Sequence, residues 1–172
     1  MLKGGVVMRI ILAVSSLMTA VFIAAGIAVS APAASHGDGV RGVDEVKVYF
    51  DVNVGDPALL LKRLKLIERT IDDLVESGVS VTAVAGFRGG ASRYVTVEDY
   101  YVIEDEVDIK EQIQTHIKML ADAGLSLEQC RIAATAREIE VADALPEIEI
   151  VTNGYVAMIG YQAQGYAVVP MD

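Results

Sequence analysis

The chain contains one thiol, Cys130. A cysteine serves either as a small buried apolar residue or, when ionised, as a nucleophile. Both readings of Cys130 stand on sequence alone. It closes a stretch that reads as a short strand, and a helical pattern begins at the next residue. In a parallel sheet that carboxyl edge is where ligands bind, and a helix N-terminus stabilises negative charge on sulfur. Arg131 and Arg137 follow closely, while Arg88 and Arg93 flank a Gly-rich loop after an earlier strand. If the fold gathers these four, they form an anion site around the thiol, because guanidinium groups pair well with oxyanions. Scattered surface arginines are the alternative. Asn153, Tyr161 and Gln162 are candidate pocket or interface residues, and Tyr155, Tyr161 and Tyr166 are expected to pack between subunits or onto the sheet.

Other chemistries are poorly served. A single cysteine excludes an intramolecular disulfide, a CxxC redox pair and a cysteine-based zinc site. The sequence has no GxxxxGK[ST], no GxGxxG at a strand–helix turn, no GxSxG and no HExxH, so no nucleotide loop, nucleophile elbow or catalytic zinc is expected. No cofactor and no metal are expected. His116 sits at the edge of an apolar stripe and reads as a boundary residue; His36 falls in a linker. The acidic run Glu98, Asp99, Glu104, Asp105, Glu106 and Asp108 lacks a calcium-loop pattern and reads as a solvated face.

The elements that would place Cys130 are legible from periodicity. Glu45 to Val54 alternates, with Val46, Val48, Phe50, Val52 and Val54 on one face, which is a strand. Asp56 and Pro57 then start a helix as N-cap and first residue. Leu60, Leu64, Ile67, Ile71 and Leu74 form its stripe, and Gly78 ends it. Val79 to Ala85 reads as a second strand and Gly86 to Ala91 as a loop, while Ser92 to Glu106 shows no clear period. Asp108 with Glu111 resembles a capping box. Ile109, Ile113, Ile117 and Leu120 make the next helix, closed by Gly124. Leu125 to Cys130 is a strand, Arg131 to Leu145 is largely helical until Pro146, and Glu147 to Val151 is a strand. Gly154 to Gln164 is a helix and Tyr166 to Val169 the last strand. Five strands alternating with helices predict an α/β domain with a mostly parallel sheet.

Before that domain, residues 1–34 contain no Asp or Glu. Lys3 and Arg9 precede an apolar run from Ile10 to Val29, and Ala31 and Ala33 fit the small-residue rule for signal-peptide cleavage. This predicts an exported, periplasmic protein. An uncleaved membrane anchor is the alternative, since the run is long enough to span a bilayer. Residues 35–44 read as a flexible Gly-rich linker, and 45–172 as the domain. The whole chain has 172 residues and a net charge of −10. Without Lys3 and Arg9, twelve basic residues face 24 acidic ones, a net charge of −12. That length allows one ordinary domain, and that charge argues against nucleic acid as a partner.

Five segments carry a family resemblance. They are Cys130-Arg-Ile-Ala-Ala-Thr-Ala-Arg-Glu-Ile139, Leu145-Pro-Glu-Ile-Glu-Ile-Val-Thr-Asn-Gly154 and Ile159-Gly-Tyr-Gln-Ala-Gln-Gly-Tyr-Ala-Val-Val-Pro170, with Val48-Tyr-Phe-Asp-Val-Asn-Val-Gly-Asp-Pro57 and Phe87-Arg-Gly-Gly-Ala91 upstream. Together they resemble the DsrE/DsrF-like sulfur-relay family, in particular its exported members of poorly defined function. The resemblance spans about residues 45–170 and implies a flavodoxin-like three-layer fold without flavin, assembled as a homo-oligomer, a trimer or hexamer. It also implies that a cysteine at the end of this strand, here Cys130, carries sulfane sulfur as a persulfide. Small sulfur species or a sulfur-donor protein would be the partners. No motif supports enzymatic turnover, so a carrier is the expectation; a non-catalytic binding or assembly module with a structural Cys130 is the rival.

Overall fold

A computed structural model describes residues 38–172. The expected leader, residues 1–34, and His36 lie outside the described residues. Of the expected linker, residues 38–42 form a turn in which Arg41 pairs with Asp38 at 2.5 Å.

The first unit runs as its pattern predicts. Strand β1 (Glu45–Val52) leads into helix α1 (Pro57–Glu76), whose N-cap Asp56 accepts from the Leu59 N–H at 2.7 Å. Leu60, Leu64 and Ile67 bury one stripe of α1 completely. Gly78 takes φ +83° and turns the chain into β2 (Ser80–Phe87), a conformation that only glycine adopts cheaply. Two residues expected in a loop, Gly86 and Phe87, instead complete β2. Phe87 pairs with both Val52 and Gln129, so sheet pairing overrides the local Gly signal.

Helix α2 spans Val107–Asp122, and Ile113, Ile117 and Leu120 face the core. Asp108 is not its cap. It lies within the first turn, behind Glu106, which makes no side-chain capping bond. Strand β3 (Ser126–Cys130) runs directly into α3 (Arg131–Thr135). The expected helix from Arg131 to Leu145 thus stops after five residues. Ile139 N–H donates to Ala134 O and Glu138 N–H to Thr135 O, a Schellman turn with Glu138 at φ +58°. Buried Ile139 draws the chain off the helix axis at that point. Short β4 (Glu149–Val151), α4 (Gly154–Ala163) and β5 (Ala167–Pro170) follow.

The five strands form one wholly parallel sheet in the order β4-β3-β2-β1-β5. From β1 to β4 the chain advances in one direction, then α4 carries it back across to β5. Right-handed crossovers therefore set α1 and α2 on one face and α4 on the other. Alternation agrees: Val48, Phe50 and Val52 pack with α1 and α2, whereas Tyr49 meets Tyr161 of α4 at 5.3 Å.

The end of the expected loop and residues 92–106, without period in the sequence, form 3-10 turns at Gly89–Val95, Asp99–Tyr101 and Glu104–Glu106. Fully buried Lys110 of α2 pins them, donating to Glu98 O and to Asp99 Oδ1 at 3.0 Å. Among the described residues no helix is long and apolar enough to cross a membrane.

Candidate functional site around Cys130

Cys130 ends β3 at the carboxyl edge of the sheet and is the residue from which α3 starts. Its side chain lies on the α4 face, since Gln129 points the other way to donate to Ser92 Oγ at 3.0 Å. The sulfur meets the start of α4, where the Gly154 N–H donates to Sγ at 3.2 Å. A Cβ on Gly154 would stand 3.0 Å from Cys130 Cβ, so only glycine lets the helix approach this closely. Asn153 has a definite role here: it is the N-cap of α4 and accepts from the Tyr155 N–H at 3.0 Å. Cys130 is 5% exposed.

Below the sulfur on the same face, sheet register aligns Asp51, Gly86, Glu128 and Glu149 in one row across β1 to β4. The Tyr49 ring fills the space that Gly86 leaves open; a Cβ on Gly86 would lie 1.7 Å from the Tyr49 hydroxyl oxygen. That hydroxyl therefore sits above the row, between two carboxylates. Burial pushes it well above the usual tyrosine range, Glu128 and Asp51 add to the shift, and Arg88 opposes them. Glu128 is 6% exposed; its Oε1 accepts from Tyr161 OH at 2.5 Å and its Oε2 is buried with no partner. Burial raises the Glu128 pKa, the Tyr161 bond opposes this, and Glu149 adds to it.

The four arginines do not gather around the thiol. Arg88 is committed to Asp51 in a two-pronged pair, Nε to Oδ1 at 2.6 Å and an Nη to Oδ2 at 2.5 Å. This bond to Asp51 raises the Arg88 pKa further. The Arg88 guanidinium also lies 4.8 Å from the Tyr155 ring centre and donates to its hydroxyl at 3.2 Å. Arg131 is exposed beside Cys130 and reaches Thr152 Oγ1 at 3.5 Å. Arg93 and Arg137 line a different cleft, with Tyr100 and Tyr101. Of the remaining candidates, half-buried Tyr161 belongs to the Glu128 network, tilted against Tyr49 and edge-on to Tyr166, and Gln162 is exposed on α4. His116 is buried on α2 with Nε2 3.2 Å from Glu68 Oε2. In the acidic run, Asp99 pairs with Lys110 and Glu106 accepts from Tyr94 OH at 3.0 Å. Among the described residues no three His, Cys, Asp or Glu side chains are placed to hold a metal ion.

Two residues of the site escaped sequence reasoning. Glu128 was readable, because strand alternation puts it on the same face as Cys130. Asp51 alternates with the apolar face of β1, but its bond to Arg88 depends on the pairing of β1 with β2, which no local pattern reports.

A parallel five-stranded α/β sheet with one cysteine at its carboxyl edge, held against the first turn of the next helix, defines the class. The sequence model of the DsrE/DsrF-like family matches residues 87–171 of this chain. An uncharacterized protein of Aquifex aeolicus (strain VF5) is 30% identical over 126 residues, 73% of this chain and 56% of that protein. The chain thus spans about half the length of that relative. Among solved structures, MTH1491 from Methanobacterium thermoautotrophicum, a protein of unknown function, superposes with a TM-score of 0.58 at 16% identity, covering 73% of this chain and 98% of that one. The ychN protein from E. coli superposes with a TM-score of 0.50 at 16% identity, covering 74% and 98%. These likenesses share the fold.

Proposed function

We propose that this protein accepts and passes on sulfane sulfur at Cys130. The observation that carries the reading is the Gly154 N–H donating to Sγ at the start of α4. A backbone donor and the positive end of a ten-residue helix both favour negative charge on sulfur. That is the charge state of an attacking thiolate and of the persulfide it becomes. The Cys130 thiolate attacks the outer sulfur of a donor persulfide; a new S–S bond forms at Cys130, the donor S–S bond breaks, and the donor leaves as a thiolate. The exchange needs no external oxidant or reductant. With Sγ almost covered, the first turn of α4 must move aside for the donor to reach it. Arg131 is the nearest guanidinium in sequence with no carboxylate partner among the described residues, and it would meet an incoming anion.

Assembly and export belong to the same proposal. Ile132, Tyr155, Val156 and Ile159 are each more than half exposed on α3 and α4, bordering Cys130. An apolar face of this kind supports a homo-oligomer, a trimer or hexamer as in the family. Sedimentation of the full chain tests it: a monomer with this face open to water removes that part. The leader sequence supports export to the periplasm, with an uncleaved anchor as the other outcome. The mass of the protein recovered from the periplasmic fraction decides between them.

A second reading has its own observation. Close packing of Cys130 against Gly154, at 3.0 Å for an added Cβ, also suits a structural cysteine in a non-catalytic binding module. Iodoacetamide separates the two. Sulfur handling predicts alkylation of folded protein near neutral pH, at a rate that mild, non-denaturing urea leaves unchanged. A structural cysteine reacts only as fast as the whole domain unfolds.

A further inference from the structure

We propose that the cleft between the Asp99–Tyr101 turn and the end of α3 is a second binding site, for a small organic anion: an oxyanion head group on a planar or apolar body. The cleft has a volume of about 400 Å³, and Arg93 and Arg137 both line it. Its residues do not include Cys130, Arg88 or Arg131, so it is separate from the thiol, and the proposal does not rest on sulfur chemistry.

The charge pattern is the first argument. Other arginines have partners: Arg41 has Asp38, Arg69 has Asp73, Arg88 has Asp51, and Arg63 donates to the Asp172 carbonyl. Among the described residues, Arg93 and Arg137 alone line one cleft with no ion pair and no side-chain hydrogen bond. In a chain of net charge −10 there are carboxylates in excess to neutralise them. Two guanidinium groups left unpaired on a shared cleft repel each other, and an oxyanion bridging them removes that repulsion and offers fork-shaped recognition.

The walls are the second argument. Tyr100 is 69% exposed, yet it is not free to turn. Its hydroxyl donates to Asp143 Oδ2 at 2.7 Å, and the Tyr101 hydroxyl donates to the same oxygen at 2.6 Å. Tyr101 OH also accepts from the Glu140 N–H at 3.0 Å, and the two rings lie 4.4 Å apart. The two hydroxyls hold the Asp143 carboxyl below its usual range, so both rings are tethered to an ionised partner. A large aromatic surface is thereby fixed in water, with Val102 and Ile103 beside it. Preorganised flat walls bind rigid apolar bodies at low entropic cost. The third argument is backbone. Glu138, a non-glycine residue at φ +58°, turns the chain directly after Arg137, beyond the end of α3, and both residues line the cleft. Glu138 is the only acidic residue in the lining, so the lining carries a net positive charge of one.

The full chain titrated with phenyl phosphate, inorganic phosphate and a poly-glutamate peptide, followed by NMR of arginine Nε–H and tyrosine ring signals, tests the site. Phenyl phosphate should saturate and shift Arg93, Arg137 and Tyr100 signals, binding at least about tenfold tighter than inorganic phosphate. Arg93→Gln and Arg137→Gln should each weaken it about tenfold, while Lys65→Gln, which removes a charge on α1 outside the cleft, should leave it unchanged. Equal weakening by all three variants would show diffuse attraction and overturn the proposal. So would inorganic phosphate matching phenyl phosphate, peptide binding without phenyl phosphate binding, or no saturation up to about 10 mM. Unchanged melting of the variants confirms that a loss of binding is not a loss of fold.

Discussion

Replacing Glu128 with Gln should make the protein more stable at neutral pH, an unusual direction for a buried polar residue. Glu128 Oε1 accepts from Tyr161 OH, and Gln keeps that bond through its own carbonyl oxygen. Oε2 is buried without a partner, and Glu149 on the neighbouring strand repels the charge. Burial raises the folded-state pKa of Glu128 above its unfolded value, so the folded state holds the proton more tightly. Stability then falls as pH rises from the unfolded pKa to the folded one, and stays lower above it. Gln has no such loss. A buried, unpartnered polar oxygen costs about 1–3 kcal/mol, and the new amide N–H₂ recovers only part of this, so a net gain of about 1 kcal/mol is expected at pH 7. That corresponds to about 3 °C in melting temperature for a domain of this size. Urea unfolding of both proteins at pH 7 and near pH 4 measures it. The difference should shrink on acidification, as the wild-type carboxylate takes up its proton. A Gln variant less stable at pH 7, or a difference that ignores pH, would refute the account of this carboxylate.

Further outcomes follow from contacts elsewhere. Gly86→Ala should lose about 3 kcal/mol or more, because its Cβ would fall 1.7 Å from the Tyr49 hydroxyl; in a Tyr49→Val background the loss should be smaller, and equal losses in both would contradict the packing. Lys110→Met should cost about 1–3 kcal/mol by leaving Glu98 O without its donor. It should also speed amide exchange at 97–103, and unchanged exchange there would show that Lys110 does not pin the segment.

The regular parts of the fold were legible because their burial follows a period. Leu60, Leu64 and Ile67 repeat at helical spacing, and Val48, Phe50 and Val52 repeat at strand spacing. What was not legible depends on contacts distant in sequence or on unusual turns. Residues 92–106 have no period because they are a chain of short 3-10 turns, held by a lysine buried in the middle of a helix. Arg131 to Leu145 has a helical composition, yet a Schellman turn at Glu138, where glycine is usual, ends the helix early. The arginines illustrate the same limit. All four lie near the carboxyl edge in sequence terms, but Asp51 takes Arg88 through the β1–β2 register, and Arg93 and Arg137 fall on a separate cleft. The place of Cys130 at a strand–helix junction was readable, whereas its contact with Gly154 joins residues from two different strand ends.

The central claim is that the Cys130 sulfur reacts while the domain stays folded. Intact-mass measurement of the full chain after brief exposure to inorganic polysulfide, without denaturant, tests it most directly. The account predicts a gain of about 32 Da, one sulfur atom, that localises to the Cys130 peptide, is removed by dithiothreitol and is absent from Cys130→Ser. Folded protein that gains no mass, while the same chain unfolded in urea gains it fully, would contradict the account and leave Cys130 a packing residue.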